Sequence, residues 1–133
     1  MGISTTDTNA IYMPARNGIY IFAGILEAPI YSTDMSREEL LGGIGAIVGH
    51  EITHAFDKSG ALYNKDGIED TWMSLQDQMA FSDRCDMVIQ YYNRLHPLPA
   101  AGSYSGLQVS DEATADMGGI RIALAAAAQE QDF

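Results

Sequence analysis

At 133 residues, 47% of them apolar and 19% charged, the chain has the length and composition of one ordinary globular domain and is too short for two. Eighteen acidic against seven basic side chains give a formal net charge of -11, which argues against nucleic acid or an anionic lipid surface as partner, because both are recognised by clustered Lys and Arg. No apolar run is long enough to cross a bilayer, so no membrane contact is expected, and the one cysteine, Cys85, excludes an internal disulfide or a cysteine-based metal cluster.

The opening Met1-Gly2-Ile3-Ser4-Thr5-Thr6 formally fits a myristoylation pattern, but short polar openings of this kind are common. Residues 9–14 (NAIYMP) and 18–22 (GIYIF) are rich in β-branched and aromatic types and flank Ala15-Arg16-Asn17-Gly18, so they predict a short hairpin. Gly24, Pro29 and Asp34 mark an irregular connection over 24–34. Ser36 with Glu39 three residues on matches a capping box, and predicts a helix running to Phe56 or Asp57. That helix is apolar around its circumference (Leu40, Leu41, Ile44, Ile47, Val48, Ile52), which predicts a buried central helix. Gly42, Gly43, Gly45 and Gly49 predict close packing against a neighbour. Turns follow at Ser59-Gly60 and Asn64–Gly67. A second helix is expected from about Ser74, with Asp77 at its third position, to the stop at His96-Pro97-Leu98-Pro99. Residues 100–109 read as a Gly- and Ser-rich loop, and a third helix is expected from around Asp111.

The chemistry concentrates in His50-Glu51-Ile52-Thr53-His54. On a helix, positions i and i+4 share a face, so both imidazoles can reach one metal ion. Glu51, one residue round, then sits beside the water that zinc would polarise, and can take its proton during attack on a peptide carbonyl. The pentad fixes only three positions, and its place inside a helix strengthens it. A catalytic zinc needs a third protein ligand. His96 stands in a Pro-flanked turn and reads as a plain loop histidine. Glu112 and Asp116 share one face of the third helix. Alone they would be acids placed to suit the helix dipole. Beside the pentad, and with Gly118-Gly119 permitting close approach, Glu112 becomes a candidate ligand and Asp116 a candidate acceptor for the second N–H of a ligating histidine. Asp57, three residues after His54, can serve the other ring.

These strings together resemble the neprilysin and endothelin-converting-enzyme family of zinc endopeptidases, which includes bacterial oligopeptidases. The likeness runs through Asn9-Ala10-Ile11-Tyr12 (the family's NAxY), Ala23-Gly24-Ile25-Leu26, Gly42-Gly43-Ile44-Gly45, His50–His54 with Phe56-Asp57, and Glu112–Gly119 (ExxxD and paired glycines). The resemblance implies an α+β, mostly helical, zincin-like (thermolysin-like) catalytic subdomain with a short N-terminal β-hairpin, spanning 1–133 as one fragment. It implies one Zn2+ per chain held by His50, His54 and Glu112. Glu51 and Asp116 would form the catalytic set, Glu51 as general base, with Asp116 and Asp57 orienting the histidines. Asn9 and the backbone of Ala10 would hold the main chain of a peptide substrate lying against the first strand. Ile25 and Ile47 fall where the family builds its apolar pocket, and plain core packing explains them equally well.

Two departures follow. Ala113 and Thr114 replace the asparagine and branched aliphatic usual inside the family's glutamate motif. The family's transition-state histidine and arginine lie beyond the zinc glutamate, and the chain ends at Phe133 before either. The expectation is therefore a fragment that binds zinc, needs the rest of a parent polypeptide, and has weak or no activity alone, since one lost oxyanion donor typically costs about 100- to 1000-fold. The rival expectation is a non-catalytic peptide-binding module stapled by zinc, and a weaker one is a metal-free peptide-binding domain using the Asn9 strand. The single cysteine leans towards a bacterial-type member, and the compartment stays open.

Overall fold

Residue 4, residues 6–95 and residues 104–129 are described by the computed structural model; His96 and most of the opening lipidation pattern lie outside them. Strands β1 (Ala10–Met13) and β2 (Gly18–Ile21) pair antiparallel, with Ala10 opposite Ile21 and Met13 opposite Gly18. Between them Pro14 opens a single 3-10 turn, a position its fixed φ suits, and Asn17 closes it at φ 43°, in the left-handed region that a short polar side chain tolerates. Phe22 N donates to Asn9 O at 3.1 Å. By strand alternation residues 9 and 11 therefore turn their peptide groups to β2, while Ala10 and Tyr12 turn theirs to the open edge.

The Ser36 capping box forms as expected: Glu39 N donates to Ser36 Oγ at 3.2 Å and Ser36 N to Glu39 Oε2 at 2.8 Å. The helix behind it is broken, however. After α1 (Arg37–Leu40), residues Leu41–Gly45 wind as a wider π-turn in which Gly43 leaves helical dihedrals (φ -91°, ψ -105°). Then come α2 (Ala46–Thr53) and a 3-10 turn at His54–Phe56. The glycine at the kink has a steric reason. A Cβ on Gly43 would lie 2.7 Å from the carbonyl oxygen of Ile30, so the helix passes the 24–34 connection only without a side chain there.

Helix α3 (Leu75–Arg94) starts at Ser74, whose Oγ accepts from Asp77 N at 3.2 Å. Helix α4 (Gly106–Ala128) starts at Gly106 rather than around Asp111. Ser105 and Gln108 form a second capping box, with Ser105 N donating to Gln108 Oε1 at 2.8 Å; the Gly/Ser-rich composition concealed it.

The core is the crossing of α2 on α4, with α3 also packed on α4. A Cβ on Gly49 would lie 3.0 Å from Gly119 Cα, and one on Gly119 would lie 2.6 Å from Ala46 O and 2.8 Å from His50 N. The two backbones meet because neither position carries a side chain, which is the close approach the glycines predict. Ala115 and Ala123 continue this small-residue face and are buried. The expectation of burial all round α2 needs correction: Ile52 is 41% exposed, and only Gly49 and Glu51 are buried along the helix. The elements packed most on α2, namely α4, the hairpin and the adjoining turns, leave the Ile52 side open. The class is α+β and mostly helical with an N-terminal hairpin, as expected.

Candidate metal centre and active-site cleft

One helical turn brings His50 and His54 together, with ring centroids 4.6 Å apart and planes nearly perpendicular at 84°. His54 follows the last residue of α2 but keeps helical dihedrals (φ -58°, ψ -22°), which preserves the i, i+4 relation. Each ring is held at Nδ1 by a carboxylate. Asp116 Oδ1 lies 2.8 Å from His50 Nδ1, and Asp57 Oδ2 lies 2.6 Å from His54 Nδ1. A carboxylate can only accept, so Nδ1 carries the hydrogen on both rings and Nε2 of each neutral imidazole presents a lone pair.

The two Asp residues differ in how firmly they are held. Asp57 is 4% exposed, and its second oxygen accepts from Ser59 N at 2.8 Å and Gly60 N at 2.6 Å, so the turn itself fixes its direction. Asp116 has a side chain 70% exposed and relies on α4 alone.

The Nε2 atoms point at each other across 3.0 Å, and Glu112 Oε2 lies 3.3 Å from the first and 3.8 Å from the second. In the neutral tautomers three electron-rich atoms thus converge with no hydrogen among them, an arrangement that a cation would relieve. Bonds of about 2.0–2.2 Å at a tetrahedral angle put zinc ligand atoms about 3.3–3.6 Å apart. The observed separations bracket that value, so the donor set and its spacing fit zinc. Among the described residues this is the one group of three His, Cys, Asp or Glu ligand atoms drawn so close.

Glu51 is 6% exposed and makes no hydrogen bond to another described residue, yet neither of its carboxylate oxygens is sealed from solvent. It faces two adjoining cavities. One, of about 380 Å³, is lined by His50, His54, Glu112 and Tyr12; the other, of about 480 Å³, by Ile25, Ile47, Gly42 and Ala46. Asn9, Ala10, His50 and Glu51 line both. The open edge of β1 therefore runs along the cleft. There Asn9 Oδ1 accepts from the outward-facing Ala10 N at 2.9 Å, occupying the edge donor itself. All ten residues singled out from the sequence meet at this cleft or orient a residue in it. Ser59 and Asp111 were not foreseen. Ser59 Oγ donates to Asp111 Oδ2 at 2.5 Å across 52 residues of chain, a pairing for which the sequence carries no local signal. Burial raises the Tyr12 hydroxyl above its ordinary pKa, with the negative charge of Asp57 adding to it.

Comparison with known proteins decides the family. The model of peptidase family M13 matches residues 9–132, nearly the whole chain. The chain belongs to peptidase family M13. It is 40% identical over 124 residues to the neutral endopeptidase of Lactococcus lactis subsp. cremoris, a match covering 93% of this chain and 20% of that protein. To mouse neprilysin it is 42% identical over 113 residues, covering 84% of this chain and 15% of that one. A crystal structure of the Mycobacterium tuberculosis zinc metalloprotease Zmp1 in complex with an inhibitor superposes with a TM-score of 0.89 at 32% identity, over 98% of this chain and 20% of Zmp1. The chain thus spans about a fifth or less of the length of these relatives.

Proposed function

We propose that this M13 chain provides the zinc-binding and proton-transfer part of an endopeptidase that hydrolyses internal bonds of short peptides. His50, His54 and Glu112 would hold the ion. Zinc, when bound there, supplies Lewis acidity that acidifies water and polarises a carbonyl. Everything else falls to the chain's own side chains. Asp57 and Asp116 keep both Nδ1 atoms protonated, so each Nε2 lone pair is free to ligate. Glu51 takes the proton of the attacking water and returns it to the leaving amine. Ala10 offers its peptide N–H and C=O to a substrate backbone laid along the β1 edge, after Asn9 Oδ1 swings away from the N–H. Ile25 and Ile47 give the second cavity its apolar wall.

The observation that carries the reading is Glu51: a carboxylate sunk in the wall of the cleft beside three converging ligand atoms, with no hydrogen-bond partner among the described residues. A zinc that merely stapled helices together would have no use for it. The test is Glu51→Gln in the polypeptide that carries this chain, assayed on a quenched fluorescent peptide with zinc content measured on the same samples. The proposal requires retained zinc and turnover lower by about 100-fold or more. Turnover within a few-fold of wild type would refute it.

A further inference from the structure

The structure ties the two halves of the metal centre together at a point outside the ligand set. His54 and Asp57 belong to the turn after α2, whereas Glu112 belongs to α4, and the Glu112 side chain is 70% exposed, so packing does little to hold it. One side-chain hydrogen bond joins that turn to α4 among the described residues: Ser59 Oγ to Asp111 Oδ2, at 2.5 Å. Its length is that of a hydroxyl donating to an ionised carboxylate, the stronger kind of neutral-to-charged bond. Its two ends are well placed to transmit position. Ser59 N is itself bound to Asp57 Oδ1, the carboxylate whose other oxygen holds His54, and Asp111 directly precedes Glu112 on the helix.

We infer that Ser59 and Asp111 are positioning residues that set the distance between His54 and Glu112, and that they act on the metal only through that distance. The opposite edge of the site has its own tie, Asp116 to His50, directly between the two helices. Without the Ser59 bond the His54–Glu112 edge, the widest of the three at 3.8 Å, has no side-chain hydrogen bond tying its two elements among the described residues. This inference rests on the zinc assignment proposed above and goes beyond it in naming what fixes the third ligand.

The experiment is competition of the 133-residue chain with a chromophoric chelator for Zn2+, together with the visible absorption spectrum of the Co2+ form, for Ser59→Ala, Asp111→Ala, the double variant and Ser59→Thr. Each alanine variant is expected to bind zinc about 3- to 10-fold more weakly, below the 10- to 100-fold typical of residues that touch a ligand. The double variant should be no weaker than the worse single one, the cobalt bands should shift, and Ser59→Thr should restore both. In a Glu112→Ala background, Ser59→Ala should cost nothing further, whereas beside Asp116→Ala it should cost its full factor. A merely structural bond would give equal losses in both backgrounds, and that result overturns the inference, as does wild-type affinity in both alanine variants. Failure of both alanine variants to fold also overturns it, since the bond would then serve the fold rather than the ligand spacing. If the wild-type chain itself takes up no zinc, the zinc assignment is at fault instead.

Discussion

Replacing Asp57 by Asn removes one charge and almost no volume, and the geometry predicts a large effect from it. The Asp57 carboxylate accepts three hydrogen bonds, from His54 Nδ1, Ser59 N and Gly60 N. An amide oxygen can keep the two backbone donors, but its NH2 group then faces the His54 N–H, donor against donor. His54 must either lose the bond or shift its hydrogen to Nε2, where the lone pair is needed for the metal. The bond at stake is charge-assisted and buried, worth about 1.5–3 kcal/mol, and a tenfold change in affinity corresponds to about 1.4 kcal/mol. Asp57→Asn should therefore weaken zinc binding about 10- to 150-fold in a chelator competition assay, with helix content by circular dichroism unchanged. Asp116→Asn should cost clearly less, because its exposed carboxylate already competes with water. Equal effects of the two variants, or zinc affinity within twofold of wild type for Asp57→Asn, would refute the tautomer argument.

Other consequences are as direct. Gly119→Ala places a methyl against Ala46 O and His50 N, both backbone atoms that cannot yield cheaply, and should lower stability by about 1–3 kcal/mol in denaturant unfolding. It should weaken zinc binding as well, because α4 carries Glu112 and Asp116. Gly42→Ala is the control, since a Cβ there meets nothing and stability should change by less than about 0.5 kcal/mol. Burial raises the Cys85 thiol above its ordinary pKa, with Asp111, Asp86 and Asp57 adding to it and Lys58 opposing. Less thiolate is therefore present at pH 8 than in a free cysteine, so alkylation by iodoacetamide should be slower than for a small thiol and should still be rising above pH 9. A rate that levels off by pH 8 would contradict this.

What was legible in the sequence is what local spacing determines. His50, Glu51, His54 and Asp57 lie within eight consecutive positions, so the helix period places the first three and the turn that follows them places Asp57, and Glu112 with Asp116 repeats the helical argument on α4. The hairpin was readable because two runs of β-branched and aromatic residues flank a segment with Asn17, which tolerates the left-handed conformation that closes the turn, and the α1 and α3 starts because Ser36 and Ser74 cap them. The features that escaped depend on partners distant in the chain. The close pass of Gly43 against Ile30 O joins segments 13 residues apart, and the glycines around 43 do not say which neighbour they meet. The Ser59–Asp111 bond spans 52 residues. The apolar circumference of α2 reported its composition correctly, but which side finds a cover is decided by tertiary packing, and the Ile52 side finds none among the described residues.

The most direct test of the account is X-ray absorption at the zinc edge on the reconstituted chain, with Glu112→Ala measured alongside. The account predicts one ion per chain with two imidazole nitrogens at about 2.0–2.1 Å and a carboxylate oxygen at about 2.0–2.2 Å, the carboxylate contribution vanishing in the variant. A wild-type spectrum without two imidazoles, or one that Glu112→Ala leaves unchanged, would contradict it.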